Sequence, residues 1–142
     1  MLVLVLLLII ILILIIWLTP QNRHFLTKQE ILSRFIGNSE IGITNHSQSI
    51  YELYFPNGQE VILRKRKDDH CEVHNGTWTV DGEGTITSHW PSYSDKYYII
   101  RYLQLGQDTY GVYNVNNACG PAGSVCRNFI RIPGNIFATT VC

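Results

Sequence analysis

Residues 68–74 read DDHCEVH. On a β-strand alternate side chains share a face, so His70, Glu72 and His74 would project together. Two imidazoles and a carboxylate form the donor set of a zinc site with one open position, the arrangement of a metal-dependent enzyme. The plainer reading is a solvated strand face beside a turn, with Cys71 and Val73 turned inward, and it ranks first. The His-x-Glu spacing also occurs in zinc deaminases, but no Pro-Cys-x-x-Cys follows it here.

Other chemistry finds less footing. There is no G-x-S-x-G elbow, and CGPAGSVC (119–126) lacks the surroundings of a thiol enzyme. Phosphate-binding and dinucleotide fingerprints are missing. The acids are too scattered to nominate a carboxylate pair. The sequence therefore names no catalytic residue and calls for no cofactor. RKRK (64–67) could touch anionic headgroups, but reads first as an edge strand guarded by charge. Asn45-His46-Ser47 and Asn75-Gly76-Thr77 are glycosylation sequons, the second placed in an exposed turn.

The aromatic residues suggest binding instead. In TWTV (77–80) Trp78 and Val80 share a face, and in TITSHW (85–90) Ile86, Ser88 and Trp90 do. Trp78 and Trp90 read first as core. A sharper reading makes them a ligand stack with Tyr98 and Tyr102 at the mouth of a barrel.

The chain has 142 residues, with 11 basic and 11 acidic side chains. A neutral chain exerts no overall pull on nucleic acid, which is excluded as a partner. Residues 2–18, LVLVLLLIIILILIIWL, carry no charge. As a helix they reach about 25 Å, just short of a bilayer core of about 30 Å. No basic start or small-residue cleavage site accompanies them, so an uncleaved anchor is favoured over a removed signal. Arg23 and Lys28 would hold the following domain in the cytoplasm. The cysteines outweigh them. An even count behind an apolar leader points to disulfides and to the periplasmic or extracellular side. Cys119 with Cys126 closes a short Gly- and Pro-containing loop, which leaves Cys71 with Cys142.

Three segments follow: an anchor or signal at 1–18, a linker at 19–26, and a helix plus β domain at 27–142. TKQEILSRFIGN (27–38) is a short amphipathic helix. Thr27 and Glu30 have capping-box spacing, Ile31, Leu32, Phe35 and Ile36 form its stripe, and Gly37 ends it in a left-handed cap. Beyond it lie short strands: IGIT (41–44), IYELYF (50–55), EVILRKRK (60–67), HCEV (70–73), TWTV (77–80), TITSHW (85–90), YYIIRYLQL (97–105), TYGVYNV (109–115) and RNFIRI (127–132). Asn57-Gly58 and Asn75-Gly76 read as hairpin turns, and Asp81–Gly84 as another. The expected fold is mainly β: an antiparallel meander closing as a barrel, or a curved sheet.

The order F-I-G-N, Y-x-x-Y-F-P-N-G, N-G-T-W-T-V resembles small bacterial exported or membrane-anchored domains of unknown function that carry a G-x-W β domain. The resemblance spans about residues 27–132. Gly76-Thr77-Trp78 also resembles the G-x-W of lipocalin-like barrels (calycins), which closes the barrel floor. There it lies near the first strand, whereas here it falls mid-chain. The resemblance implies a barrel and supplies no catalytic residue. The expected function is a membrane-anchored structural or protein-interaction module, with a small apolar-ligand-binding barrel as the alternative and a metal enzyme third.

Overall fold

The computed structural model describes residues 2–18, 23–43, 49–66, 68 and 70–135. Linker residues 19–22, the Asn45 sequon, Lys67, Asp69 and Cys142 lie outside them, and so does the Cys71–Cys142 pairing. Two helices, α1 (Leu2–Leu18) and α2 (Lys28–Phe35), precede eight strands. These are β1 (Ser39–Ile43), β2 (Ser49–Tyr54), β3 (Gln59–Lys65), β4 (Cys71–Val80), β5 (Thr85–His89), β6 (Tyr97–Gln104), β7 (Thr109–Asn114) and β8 (Val125–Ile132). Each strand pairs antiparallel with the next, and β8 returns to β1, so the barrel is closed.

Apolar on every side, α1 leaves Val5 to Ile13 between 44% and 61% exposed. It has 17 residues. Among the described residues no helix is long and apolar enough to cross a membrane.

Helix α2 plugs one end of the barrel. Thr27 caps it through the expected capping box, its hydroxyl accepting from Glu30 N while the Glu30 carboxylate accepts from Thr27 N at 2.9 Å. That backbone bond, with His24 nearby, lowers the Glu30 pKa from 4.5 to about 2. Ile31 and Phe35 are buried while Leu32 is 37% exposed, so the apolar stripe is narrower than expected. The helix stops at Phe35 because Ile36 is extended and bridges Tyr54 of β2. Gly37 follows with φ +73. Arg34 ties the helix to β6 by donating to Gln104 Oε1 at 3.0 Å.

Two expectations about β3 and β4 need correction. β3 is no edge strand, because it pairs with both β2 and β4 in a closed barrel. Asn75-Gly76 is no turn either, since HCEV and TWTV are parts of one continuous strand, β4. Gly76 serves close approach instead. A Cβ there would stand 2.3 Å from Trp90 Cδ1 and 2.4 Å from the His89 carbonyl oxygen. The sequon residue Asn75 is thus exposed on a strand.

Gly84 is the second such position. Its φ is +83, and an added Cβ would stand 2.1 Å from the Leu26 carbonyl oxygen. Leu26 is fully buried, and its N–H donates to Tyr102 O at 2.9 Å, leading the chain into the plug. Gly84→Ala is expected to destabilise by about 1–3 kcal/mol from the backbone conformation alone, with the clash added. Gly82, with nothing within 4 Å of an added Cβ, is the control. Urea midpoints of the two alanine variants check this, and equal midpoints would refute it.

Candidate functional site

Alternation along each strand decides what faces the barrel interior. From β1 to β3 the inward residues include Glu40, Glu52 and Glu60, all at most 2% exposed. Glu40 lies directly opposite Glu52, and Tyr54 opposite Glu60. Like charges placed opposite each other repel, and burial strips their water. Both effects act on the pKa values. Burial and then the Glu52 carboxylate push Glu40 well above 4.5. The same two causes raise Glu60. Burial also raises Glu52, but Arg127 and the Tyr54 hydroxyl pull it back.

The belt is partly wired. Tyr102 OH donates to Glu40 Oε2 at 2.8 Å, and the Tyr54 and Tyr102 hydroxyls are 2.8 Å apart. The Tyr54 hydroxyl also lies beside Glu52 and lowers its pKa. Two phenols thus join two carboxyls in one chain. Glu60 is less well served. It sits beside Ser88, yet neither of its oxygens nor Ser88 Oγ makes a well-formed hydrogen bond.

At the end away from α2 there is a cavity of about 110 Å³. Trp90, Tyr93 and Tyr98 form its aromatic wall, and Ile62, Arg64 and Arg127 line it from β3 and β8. Ala118 and Cys119 complete the rim from the β7–β8 loop, where the Cys119–Cys126 disulfide is present. Buried Asn114 holds that loop. Its Nδ2 donates to Gly120 O, and its Oδ1 accepts from Ala118 N at 3.2 Å. Arg127 reaches down to Glu52 Oε1 at 3.6 Å and lies 5.1 Å over the Phe129 ring. Gly42 leaves room for that ring, since a Cβ would meet Phe129 Cε1 at 2.6 Å. Arg64 lies over Tyr93 at 4.7 Å. Trp90 Nε1 and Arg127 Nε are buried donors without a hydrogen-bond partner.

The four aromatic residues nominated from sequence separate into three places. Trp90 and Tyr98 meet at the cavity, with ring centroids 5.0 Å apart. Trp78 packs on Tyr54 near the plug and donates Nε1–H to Phe55 O at 2.9 Å. Tyr102 belongs to the acidic belt. Of the metal trio, Glu72 pairs with Arg66 at 2.6 Å and Arg64 at 4.0 Å. His74 Nδ1 is 3.0 Å from Ser92 Oγ, and His70 is exposed. Among the described residues no three His, Cys, Asp or Glu side chains stand where they could share a metal ion. Val73 is 56% exposed, so Glu72 and His74, not Cys71 and Val73, take the inner face of β4.

Sequence reasoning did not single out Glu40, Glu52, Glu60 or Arg127. The available signal was E-x-Y in β2 and E-x-I-x-R in β3, alternations whose polar members face in.

Fold and site together define an up-and-down barrel, plugged by a helix, with an acidic belt and a basic aromatic mouth. No family model, curated protein or solved structure matches the chain.

Proposed function

We propose that this protein is a non-enzymatic small-ligand-binding barrel, held at a membrane by residues 2–18 on the periplasmic or extracellular side. The mouth cavity carries this reading. At about 110 Å³ it lies below the ~300–1,000 Å³ of drug-sized sites, so the ligand is small. A buried indole N–H without a partner is costly unless something accepts from it, and a ligand would. The disulfide fits an oxidising compartment. The exposed apolar α1 fits a lipid contact.

A protein-interaction module ranks second, because it calls for a contiguous apolar face. Outside α1 the three most exposed large apolar side chains among the described residues are Tyr97, Val73 and Ile130. They lie on β6, β4 and β8, none of which are neighbours.

The two barrel indoles provide the test. The full chain in detergent micelles is titrated with a library of neutral and charged molecules of fewer than about ten heavy atoms. The indole N–H resonances are followed by NMR. Binding at the mouth moves the Trp90 signal and leaves Trp78, bonded to Phe55 O, in place. If no compound moves Trp90, the reading is wrong.

A further inference from the structure

We infer that the mouth takes a small, flat monocarboxylate on Arg127, and that each molecule bound carries one proton onto the Glu52 carboxyl. This rests on the ligand-binding reading above and names the ligand class and its regulation.

The lining selects the charge. Two guanidiniums face the cavity, and among the described residues no carboxylate lines it. The unpartnered polar atoms at Trp90 and Arg127 are both N–H donors, so they suit an acceptor. Trp90 is 2% exposed, which makes its donor part of a built site and not a surface feature. The lining also selects the shape. Trp90 and Tyr98 offer tilted ring faces to a flat body. A guanidinium and a carboxylate pair well because both are planar forks.

Arg127 is already engaged with Glu52 below it. Glu52 is faced by Glu40 from β1, Glu60 from β3, Tyr102 from β6 and Arg127 from β8, with Tyr54 on its own strand. Arg127 is the one cation in that set. A carboxylate ligand competes for it and leaves Glu52 buried among carboxyls. An uncompensated buried charge is the costlier outcome, so Glu52 takes a proton instead. The Tyr54–Tyr102 chain can pass the proton between Glu52 and Glu40, because each hydroxyl both donates and accepts. One anion and one proton enter together, so the interior charge does not change.

The sign follows. Arg127 now lowers the Glu52 pKa, and drawing Arg127 away raises it. The bound state then holds more protons than the free state, and affinity rises as pH falls.

The experiment is calorimetry on the full chain in micelles with benzoate, and with benzamide and benzylamine as neutral and cationic counterparts. Two buffers of different ionisation enthalpy at each pH count the protons. Benzoate is expected to bind tighter than either counterpart, with close to one proton taken up. Its affinity should gain about tenfold or more between pH 7.5 and pH 5.5. Glu52→Gln should keep benzoate binding and lose the proton uptake. His74→Gln, which removes the imidazole packed against Tyr93 of the cavity wall, should keep both. Equal binding of benzoate and benzamide would overturn the charge assignment. Benzoate binding with no proton uptake, or uptake lost in His74→Gln and kept in Glu52→Gln, would overturn the linkage. If benzoate fails while neutral compounds still move the Trp90 resonance, the inference falls and the ligand-binding barrel stands.

Discussion

Phe35→Ala is expected to cost about 3–5 kcal/mol, the range for emptying a buried aromatic site. Phe35 is fully buried. It stacks on Tyr102 at 4.7 Å and meets Tyr110 edge-on at 5.0 Å. Such ring pairs add to the burial energy. The site cannot collapse easily, because its walls are strands of a closed barrel. The lost ring also removes the lid over Tyr102, whose hydroxyl anchors the acidic belt. Leu32→Ala on the exposed side of α2 should cost well under half as much. Denaturant unfolding of both variants measures the difference. A Phe35→Ala cost no larger than that of Leu32→Ala would mean that α2 does not plug the barrel.

The second large effect is a stability that falls as pH rises. Glu40, Glu52 and Glu60 have raised pKa values in the folded state, all with burial as the first cause. Unfolded, they titrate near 4.5. Above that pH the folded chain holds more protons than the unfolded one, so each pH unit lowers stability until the folded groups ionise too. The slope is about 1.4 kcal/mol per pH unit for each carboxyl that stays protonated. Glu30 acts oppositely. Its lowered value contributes stability above 4.5 that is lost as pH falls toward about 2. Stability should therefore peak near the ordinary carboxyl range and decline toward pH 8. Glu60→Gln should reduce the slope by up to one proton, because an amide cannot ionise. Unfolding free energies at steps from pH 4 to pH 8 give the curve directly. A flat curve over pH 5–8, or an unchanged slope in Glu60→Gln, would show that the belt is ionised in the fold.

Much of this architecture was legible in the sequence, because it rests on local signals. Thr27 and Glu30 build the cap where their spacing puts it. Gly58, with φ +80, turns β2 into β3 at the expected Asn-Gly. At the β4–β5 hairpin Asp81 Oδ1 accepts from Glu83 N and Thr85 N, at 3.0 Å and 2.8 Å. The short loop between Cys119 and Cys126 leaves their Cα atoms 5.9 Å apart, in the disulfide range. The Asn75-Gly76 turn failed because the same dipeptide can serve close packing. Only the partner strand, with Trp90 crossing Gly76, distinguishes the two uses.

Local sequence signals specify the order of the elements, the caps, most of the turns and which residues share a face. They could not say which face is inside. That was decided when β8 closed on β1. Period-two alternation is symmetric: it separates Glu60, Ile62 and Arg64 from Val61, Leu63 and Lys65, and gives neither set a direction. Polar members usually mark the wet side, so the belt and Arg127 resembled surface. In the closed barrel they turn inward, where Tyr102 from β6 meets Glu40 and Tyr54, and Arg127 from β8 meets Glu52, which makes their burial tolerable. Along the chain Tyr102 lies 62 residues from Glu40 and 48 from Tyr54, and Arg127 lies far beyond Glu52. Compensation at that range is a property of three-dimensional packing, and local sequence pattern does not encode it.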